Sequence, residues 1–65
     1  MTRYVAEEGS ELGHSCCFNG TVLDTARKQH NGRDAVVCEC WDVDTAQRIA
    51  AALNAAAAAG MPVPE

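Results

Sequence analysis

A capped amphipathic segment near the C-terminus constrains the fold more than any other feature of this sequence. Its apolar residues recur at three- and four-residue spacing, which places them on one face of a helix: Ala46, Ile49, Ala50, Leu53 and Ala57. Asp42 is a suitable N-cap, while Asp44 with Gln47 offers a competing capping box. Either register begins a helix at about residue 43.

The C-terminal end of this helix also sets the boundary of the domain. Gly60 is a natural C-cap and Pro62 forbids continuation, so we expect the helix to end near Ala59. A chain of 65 residues buries only about 60% of its unfolded surface, which limits it to one domain with a thin core. We therefore predict a single compact domain over residues 1–60 and a flexible tail at 61–65.

Two segments before the helix have the composition of β-strands. Residues 35–41 combine β-branched, cysteine and aromatic side chains, and residues 21–25 form the partner segment. The connection at 27–33 is polar, and its Asn31 and Gly32 are a strong turn signal. These features predict an antiparallel hairpin.

Alternation along the second strand of this hairpin predicts which side chains face the core. Val36, Cys38 and Cys40 share one face, and they form the better core face. The predicted core consists of apolar residues from the strands and the helix: Val5, Leu23, Val36, Cys38, Cys40, Ile49 and Leu53.

The N-terminal third of the chain supplies a third strand. Residues 3–7 are a strand candidate, and a glycine-containing loop follows at 9–13. Within residues 14–25, Asn19 with Gly20 makes either a two-residue hairpin turn or a glycine bulge in one long strand; we prefer the long strand, because a second hairpin leaves very short arms. The elements together predict an α+β fold, a three-stranded antiparallel sheet packed against one C-terminal α-helix.

The charge balance favours basic partners over nucleic acids. Nine acidic residues against five Lys and Arg give a net charge of -4, which disfavours attraction to DNA, RNA or anionic lipid. The connection between the hairpin strands carries four basic side chains without interleaved aromatic residues, too few for a nucleic-acid site: Arg27, Lys28, His30 and Arg33. No apolar run approaches the ~20 residues that span a bilayer, and no secretory pattern follows Met1, so we expect a cytoplasmic protein.

Four cysteines are many for so short a chain: Cys16, Cys17, Cys38 and Cys40. Structural zinc sites draw ligands from C-x(2–4)-C knuckles, whereas adjacent cysteines on a strand point to opposite faces. A disulfide between the two pairs is the second alternative, and a reducing compartment disfavours it. We expect reduced packing cysteines, with no metal and no cofactor.

Catalytic patterns are missing from the sequence. There is no phosphate-binding glycine loop and no Ser-His-Asp arrangement, and a thin core leaves little room for a pocket. His14 and His30 are candidate bases for a cysteine nucleophile, but both fall in loop segments. We expect that the protein is not an enzyme.

Two groups of acidic residues are the candidate partner-binding surface: Glu7, Glu8 and Glu11 near the N-terminus, and Glu39, Asp42 and Asp44 around the junction of strand and helix. Solubility and complementation of the helix dipole explain these residues without any partner. If folding brings both groups to one side, they form a surface that imitates nucleic-acid phosphates for a basic protein.

The C-terminal half resembles a hairpin-plus-helix pattern of short phage-encoded proteins, over residues 21–25, 36–42 and 46–54. Small acidic phage proteins of this size resemble the anti-CRISPR inhibitors of type I systems, several of which mimic DNA on the basic surface of the effector (Cascade) complex. That family shares no binding motif, so no functional residue is carried over. The resemblance implies a monomeric inhibitor in the host bacterial cytoplasm that binds a type I effector complex and blocks recruitment of target DNA.

The alanine run at 55–59 suggests an alternative function, as a small accessory or structural phage protein that assembles through its alanine-rich helix. Alanine has the best helix propensity but buries little area, so the run allows close approach of another surface. Close packing of the helix on the sheet, or docking of a second chain on the helix, would both use this close approach. A frayed, solvent-facing last turn is the favoured explanation.

Overall fold

The computed structural model describes residues 2–13 and 16–62, which form three strands and one helix. The elements are β1 (Tyr4–Glu8), β2 (Gly20–Lys28), β3 (Asp34–Cys40) and α1 (Val43–Ala58). The strands make one antiparallel sheet in the order β1-β2-β3. The predicted α+β fold, a three-stranded antiparallel sheet with one C-terminal helix, is confirmed. No helix in the described part of the chain is long and apolar enough to cross a membrane.

The helix begins and ends where its capping residues predict. The side chain of Asp42 accepts a hydrogen bond from the backbone N–H of Thr45 at 2.7 Å, so Asp42 is the N-cap. At the other end Ala59 is the C-cap, and Gly60 adopts a φ of 75°, the left-handed conformation that ends many helices. The N–H of Met61 donates back into the last turn of the helix at 2.9 Å.

The predicted hairpin is present, with a longer first strand than the sequence indicates. β2 continues to Lys28, and residues 29–33 make the turn. Gln29 N–H donates to the carbonyl oxygen of Arg33 at 2.7 Å and closes this turn, while Gly32 adopts a φ of 84°. The turn expected at Asn31 and Gly32 is therefore confirmed.

The preferred long strand across residues 14–25 is wrong, and so is the tight hairpin. Cys16 and Cys17 lie in a turn, and β2 begins only at Gly20; His14 and Ser15 lie outside the described residues. Cys16 and Cys17 belong to the connection from β1 to β2, whose two ends are joined by a hydrogen bond from Gly9 N–H to the Asn19 carbonyl oxygen at 2.8 Å. A Cβ atom at Gly20 would lie 2.4 Å from the carbonyl oxygen of Asp42, in the connection from β3 to α1. The start of β2 therefore needs a glycine, because no side chain fits between it and that connection.

A bulge in β3 changes which of its residues face the helix. Val22 pairs with Cys38, but Leu23 pairs with Val36, which leaves Val37 as the extra residue. Val36 therefore lies on the face opposite to Cys38, and its predicted position on one face with Cys38 and Cys40 is wrong. Strand alternation assumes one-to-one pairing, and the inserted residue reverses it.

The core lies between the sheet and the inward face of α1. Its buried members come from all three strands and the helix: Tyr4, Val22, Cys40, Ala46 and Ala50. Of the predicted core residues, Cys40 is buried there, and Cys38, Ile49 and Leu53 pack against it half-buried. The predicted Val5, Leu23 and Val36 form a row across the sheet on its other face, where Leu23 is buried. The prediction that Leu23 is a core residue is therefore confirmed, whereas Val5 and Val36 are only half-buried. Val5 is not in the helix-side core because Tyr4 and Ala6 turn toward the helix in its place, and Val36 is not because of the bulge at Val37.

Candidate functional site

Four of the six predicted acidic residues lie at one end of the sheet, though not on one face: Glu7, Glu8, Glu39 and Asp42. Glu11 instead pairs with Arg33, in the hairpin turn at the opposite end of the sheet, and Asp44 lies in the first turn of α1. The register sets Glu7 beside Thr21 and Thr21 beside Glu39, in a row on the face away from α1. Glu8 ends β1 in the next row, opposite Gly20 and Cys40. The backbone of Asp42 approaches Gly20 closely, so the start of α1 lies at the same end.

Glu39 is held by the loop that follows β1. The hydroxyl of Ser10 donates to its Oε2 atom, and the N–H of Leu12 lies 3.4 Å from the same oxygen. The Thr21 hydroxyl donates to the Gly9 carbonyl oxygen at 2.7 Å and also lies 3.5 Å from Glu39 Oε2. These contacts hold residues 9–12 against the face of the sheet that points away from α1.

Glu11 is largely buried in an ion pair and influences Glu7. Arg33 Nη2 donates to Glu11 Oε1 at 2.7 Å, and the Glu11 side chain keeps only 7% of its surface exposed. A hydrogen bond between the Glu7 and Glu11 carboxyl groups raises the pKa of Glu7, and burial and the negative charge of Glu11 act in the same direction. Glu7 therefore holds its proton at a higher pH than an isolated glutamate.

The two aspartates at the start of α1 have different roles. The backbone N–H of Thr45 hydrogen-bonds to the carboxylate of Asp42 and lowers its pKa, because the bond stabilises the charged form. Asp44 lies 3.2 Å from Arg48 one turn along the helix, and both side chains are mostly exposed. Such exposed pairs contribute little to stability, so Asp44 stays accessible to another cation.

Four of the five basic residues are already paired with acidic ones. Arg33 and Arg48 hold Glu11 and Asp44, and the other two pairs are Arg3 with Asp24 and Lys28 with Asp34. Glu7, Glu8 and Asp42 are exposed and make no ion pair within the described residues. We call the surface formed by Glu7, Glu8 and Asp42 the acidic end.

Asn54 is the polar residue that the sequence pattern did not single out and that most clearly joins the helix to the sheet. Its amide donates to the Tyr4 carbonyl oxygen at 2.9 Å and accepts hydrogen bonds from the N–H groups of Tyr4 and Arg3 at 2.8 and 3.1 Å. The signal in the sequence is its spacing, because Asn54 follows Ala46 and Ala50 at four-residue intervals on the inward helix face. Its role is structural, since it satisfies the backbone of an edge strand.

The cysteines fall into two separate environments. Cys16 and Cys17 are exposed in the β1–β2 connection, whereas Cys38 is half-buried and Cys40 is buried beneath α1; all four are free thiols. Within residues 2–13 and 16–62, no three Cys, His, Asp or Glu side chains are grouped to hold a metal ion. His30 is exposed in the hairpin turn.

An open groove of about 770 Å³ runs beside β3 and carries large apolar side chains. Leu12 and Phe18 line it on one side, and Val36 lines it on the sheet. Phe18 also stacks on Trp41, with ring centroids 5.2 Å apart, and Trp41 keeps 70% of its surface exposed. The groove also holds Lys28 and His30 near the hairpin turn and Glu39 on β3.

No protein-family model, curated protein or solved structure matches this chain.

Proposed function

We propose that the protein binds a basic protein surface through its acidic end, as a phage-encoded anti-CRISPR inhibitor that occupies the DNA-binding surface of a type I effector complex. The observation that carries this proposal is the placement of Glu7, Glu8 and Asp42. They are exposed, they make no ion pair with a described residue, and they lie at one end of a small sheet. Carboxylates in that arrangement present negative charge as nucleic-acid phosphates do.

The other three predicted site residues, Glu11, Glu39 and Asp44, are already in contact with other side chains of the protein. Glu11 and Glu39 hold the loop after β1, through Arg33 and Ser10 respectively, so their charges are partly used within the protein. Asp44, in the first turn of α1, shares its charge with Arg48 in an exposed pair. Glu7, Glu8 and Asp42 therefore contribute most to partner binding in this proposal, and Glu11 and Glu39 contribute by shaping the surface.

In the proposed mechanism the protein competes with target DNA for the basic surface of the effector complex and catalyses no reaction. A basic groove that receives DNA attracts the acidic end over about a Debye length, and this attraction weakens as salt rises. The proposal includes no catalytic step, metal or cofactor. It places the protein in the cytoplasm of the host cell, where effector complexes meet target DNA, and it requires only a monomer.

The test is an inhibition assay with two double variants that change net charge equally. Glu7→Gln with Glu8→Gln removes two charges from the acidic end, whereas Ala51→Lys with Ala55→Lys adds two positive charges on the exposed face of α1. We expect the first variant to need about tenfold more protein to block DNA binding by a type I effector complex, equivalent to about 1.4 kcal/mol, and the second to inhibit as the wild type does. Equal inhibition by the wild type and the first variant would contradict the proposal.

Assembly through the alanine-rich helix is the second candidate function. One observation favours it, the row of exposed small side chains on the outer face of α1: Ala51, Ala52, Ala55 and Ala58. Small residues allow another helix to approach closely. This function predicts a dimer or larger assembly in a mass-resolved solution measurement, and conversion to a monomer by Ala51→Lys with Ala55→Lys.

A further inference from the structure

We propose that Cys16 and Cys17 form a reversible two-electron thiol–disulfide site that reacts with low-molecular-weight disulfides. The two Sγ atoms lie 3.2 Å apart, and both side chains are exposed. A disulfide bond is about 2.05 Å long, so the sulfur atoms need to approach by little more than 1 Å. A turn in the β1–β2 connection carries both residues, outside the hydrogen-bonded part of the sheet.

The second cysteine pair serves as an internal comparison. Cys38 and Cys40 also lie close in sequence, but β3 holds them on the face beneath α1, where Cys40 is buried in the core. Burial there raises the pKa of the Cys38 thiol and keeps it in the less reactive protonated form. Exposure therefore directs an external disulfide to Cys16 and Cys17 rather than to the pair beneath α1.

The reaction balances as two successive exchanges. The Cys16 thiolate attacks one sulfur of a small disulfide RSSR, so a protein–SR bond forms and one RSH leaves. The Cys17 sulfur then attacks Cys16, releases the second RSH and closes the Cys16–Cys17 bond, which oxidises the protein by two electrons and two protons. The hydrogen bond to Cys16 raises the pKa of the Cys17 thiol, which suits Cys17 to the second step rather than the first.

Trp41 lies close enough to this site for its fluorescence to report oxidation of the two cysteines. Phe18 directly follows Cys17 and stacks on the exposed ring of Trp41. Adjacent Cα atoms across a trans peptide lie about 3.8 Å apart, closer than in ordinary disulfides, so closing the ring reshapes the local backbone. We therefore expect oxidation to change the fluorescence of Trp41, the single tryptophan of the chain. A bond closed over so short a separation is also readily reduced, as a reversible site requires.

The experiment treats the folded protein with oxidised glutathione, traps the remaining thiols by alkylation and measures the intact mass. We expect the wild type to lose two hydrogen atoms without gaining glutathione, with the link between Cys16 and Cys17 located by peptide mapping and reversed by dithiothreitol. Cys16→Ser and Cys17→Ser are the matched controls, and each is expected to retain one glutathionyl group.

Three results would overturn the inference. The first is a wild-type protein that stops at a glutathione adduct, and the second is an intermolecular disulfide that links two chains. The third is oxidation of Cys38 and Cys40 before Cys16 and Cys17. The first two results would show that proximity of Cys16 and Cys17 in this turn does not lead to ring closure, and the third would show that exposure does not decide which pair reacts. Far-UV circular dichroism of both serine variants checks that the fold is retained.

Discussion

Asp24 is a charged side chain with only 2% of its surface exposed, and its hydrogen bonds explain why the sheet accommodates it. Arg3 donates from Nε and Nη2 to the two carboxylate oxygens at 2.9 Å each, and the N–H of Ala26 donates at 3.0 Å. The hydrogen bond from Arg3 is the main reason that the pKa of Asp24 lies below its usual range. A buried charge satisfied in this way is costly to leave without its partner.

We therefore expect Arg3→Ala to lower the free energy of unfolding at pH 7 by about 3 kcal/mol, the low end for a buried pair, because Arg3 itself is partly exposed. Since the folded-state pKa of Asp24 is depressed, its contribution is complete above the unfolded pKa near 4 and disappears as the pH falls through the folded value. Asp24→Asn should remove that part of the acid dependence. Urea unfolding between pH 2 and 7 measures both effects.

Lys28→Ala is the matched control, because Lys28 pairs with Asp34 at the surface and should contribute less than 1 kcal/mol. Equal losses for Arg3→Ala and Lys28→Ala would show that burial adds nothing to the Asp24 pair.

At this scale the sequence predicts which residues carry charge but not which residues they meet. Glu11 and Arg33 are 22 positions apart, and Asn54 meets Tyr4 across 50 positions. Those contacts depend on the strand register and on how the helix packs against the sheet. Neither can be read from a short stretch of sequence. The acidic positions near the junction of strand and helix are the exception, since Asp42 is recognisable from its local role as an N-cap.

Among the elements, α1 shows how a helix of small residues packs closely on a sheet. Its fully buried positions are Ala46 and Ala50, with Ile49 and Leu53 half-buried beside them. Periodicity and capping predict the helix, its bounds and this face, because all of these are local properties of the sequence. The bulge at Val37 is not local, because it depends on pairing with β2, and it reverses the face predicted for Val36.

Enlarging a buried alanine of α1 should destabilise the fold. We expect Ala50→Leu to lower the free energy of unfolding by about 1–3 kcal/mol, because the added atoms have no space between helix and sheet. Ala51→Leu makes the same chemical change on the exposed face and should stay within about 0.5 kcal/mol of the wild type. Thermal unfolding of both variants measures the difference, and a stable Ala50→Leu protein would contradict the packing described for this face.

For the whole molecule, the distribution of charge matters more than the net value. The basic side chains are mostly used in ion pairs within the protein, while Glu7, Glu8 and Asp42 remain exposed at one end. The sequence predicts an acidic domain but not this arrangement, because compensation of each charge depends on the tertiary contacts. The acidic end is therefore a property of the folded sheet and the start of α1 together.

Amide hydrogen exchange in the presence of a saturating type I effector complex tests the central claim most directly. Binding through the acidic end predicts slower exchange at residues 7–12 and 39–45, with the outer face of α1 at 51–59 unchanged. Glu7→Gln with Glu8→Gln should weaken this protection, and Ala51→Lys with Ala55→Lys should leave it intact. Protection confined to residues 51–59, or no change in exchange anywhere in the chain, would contradict the proposed binding surface.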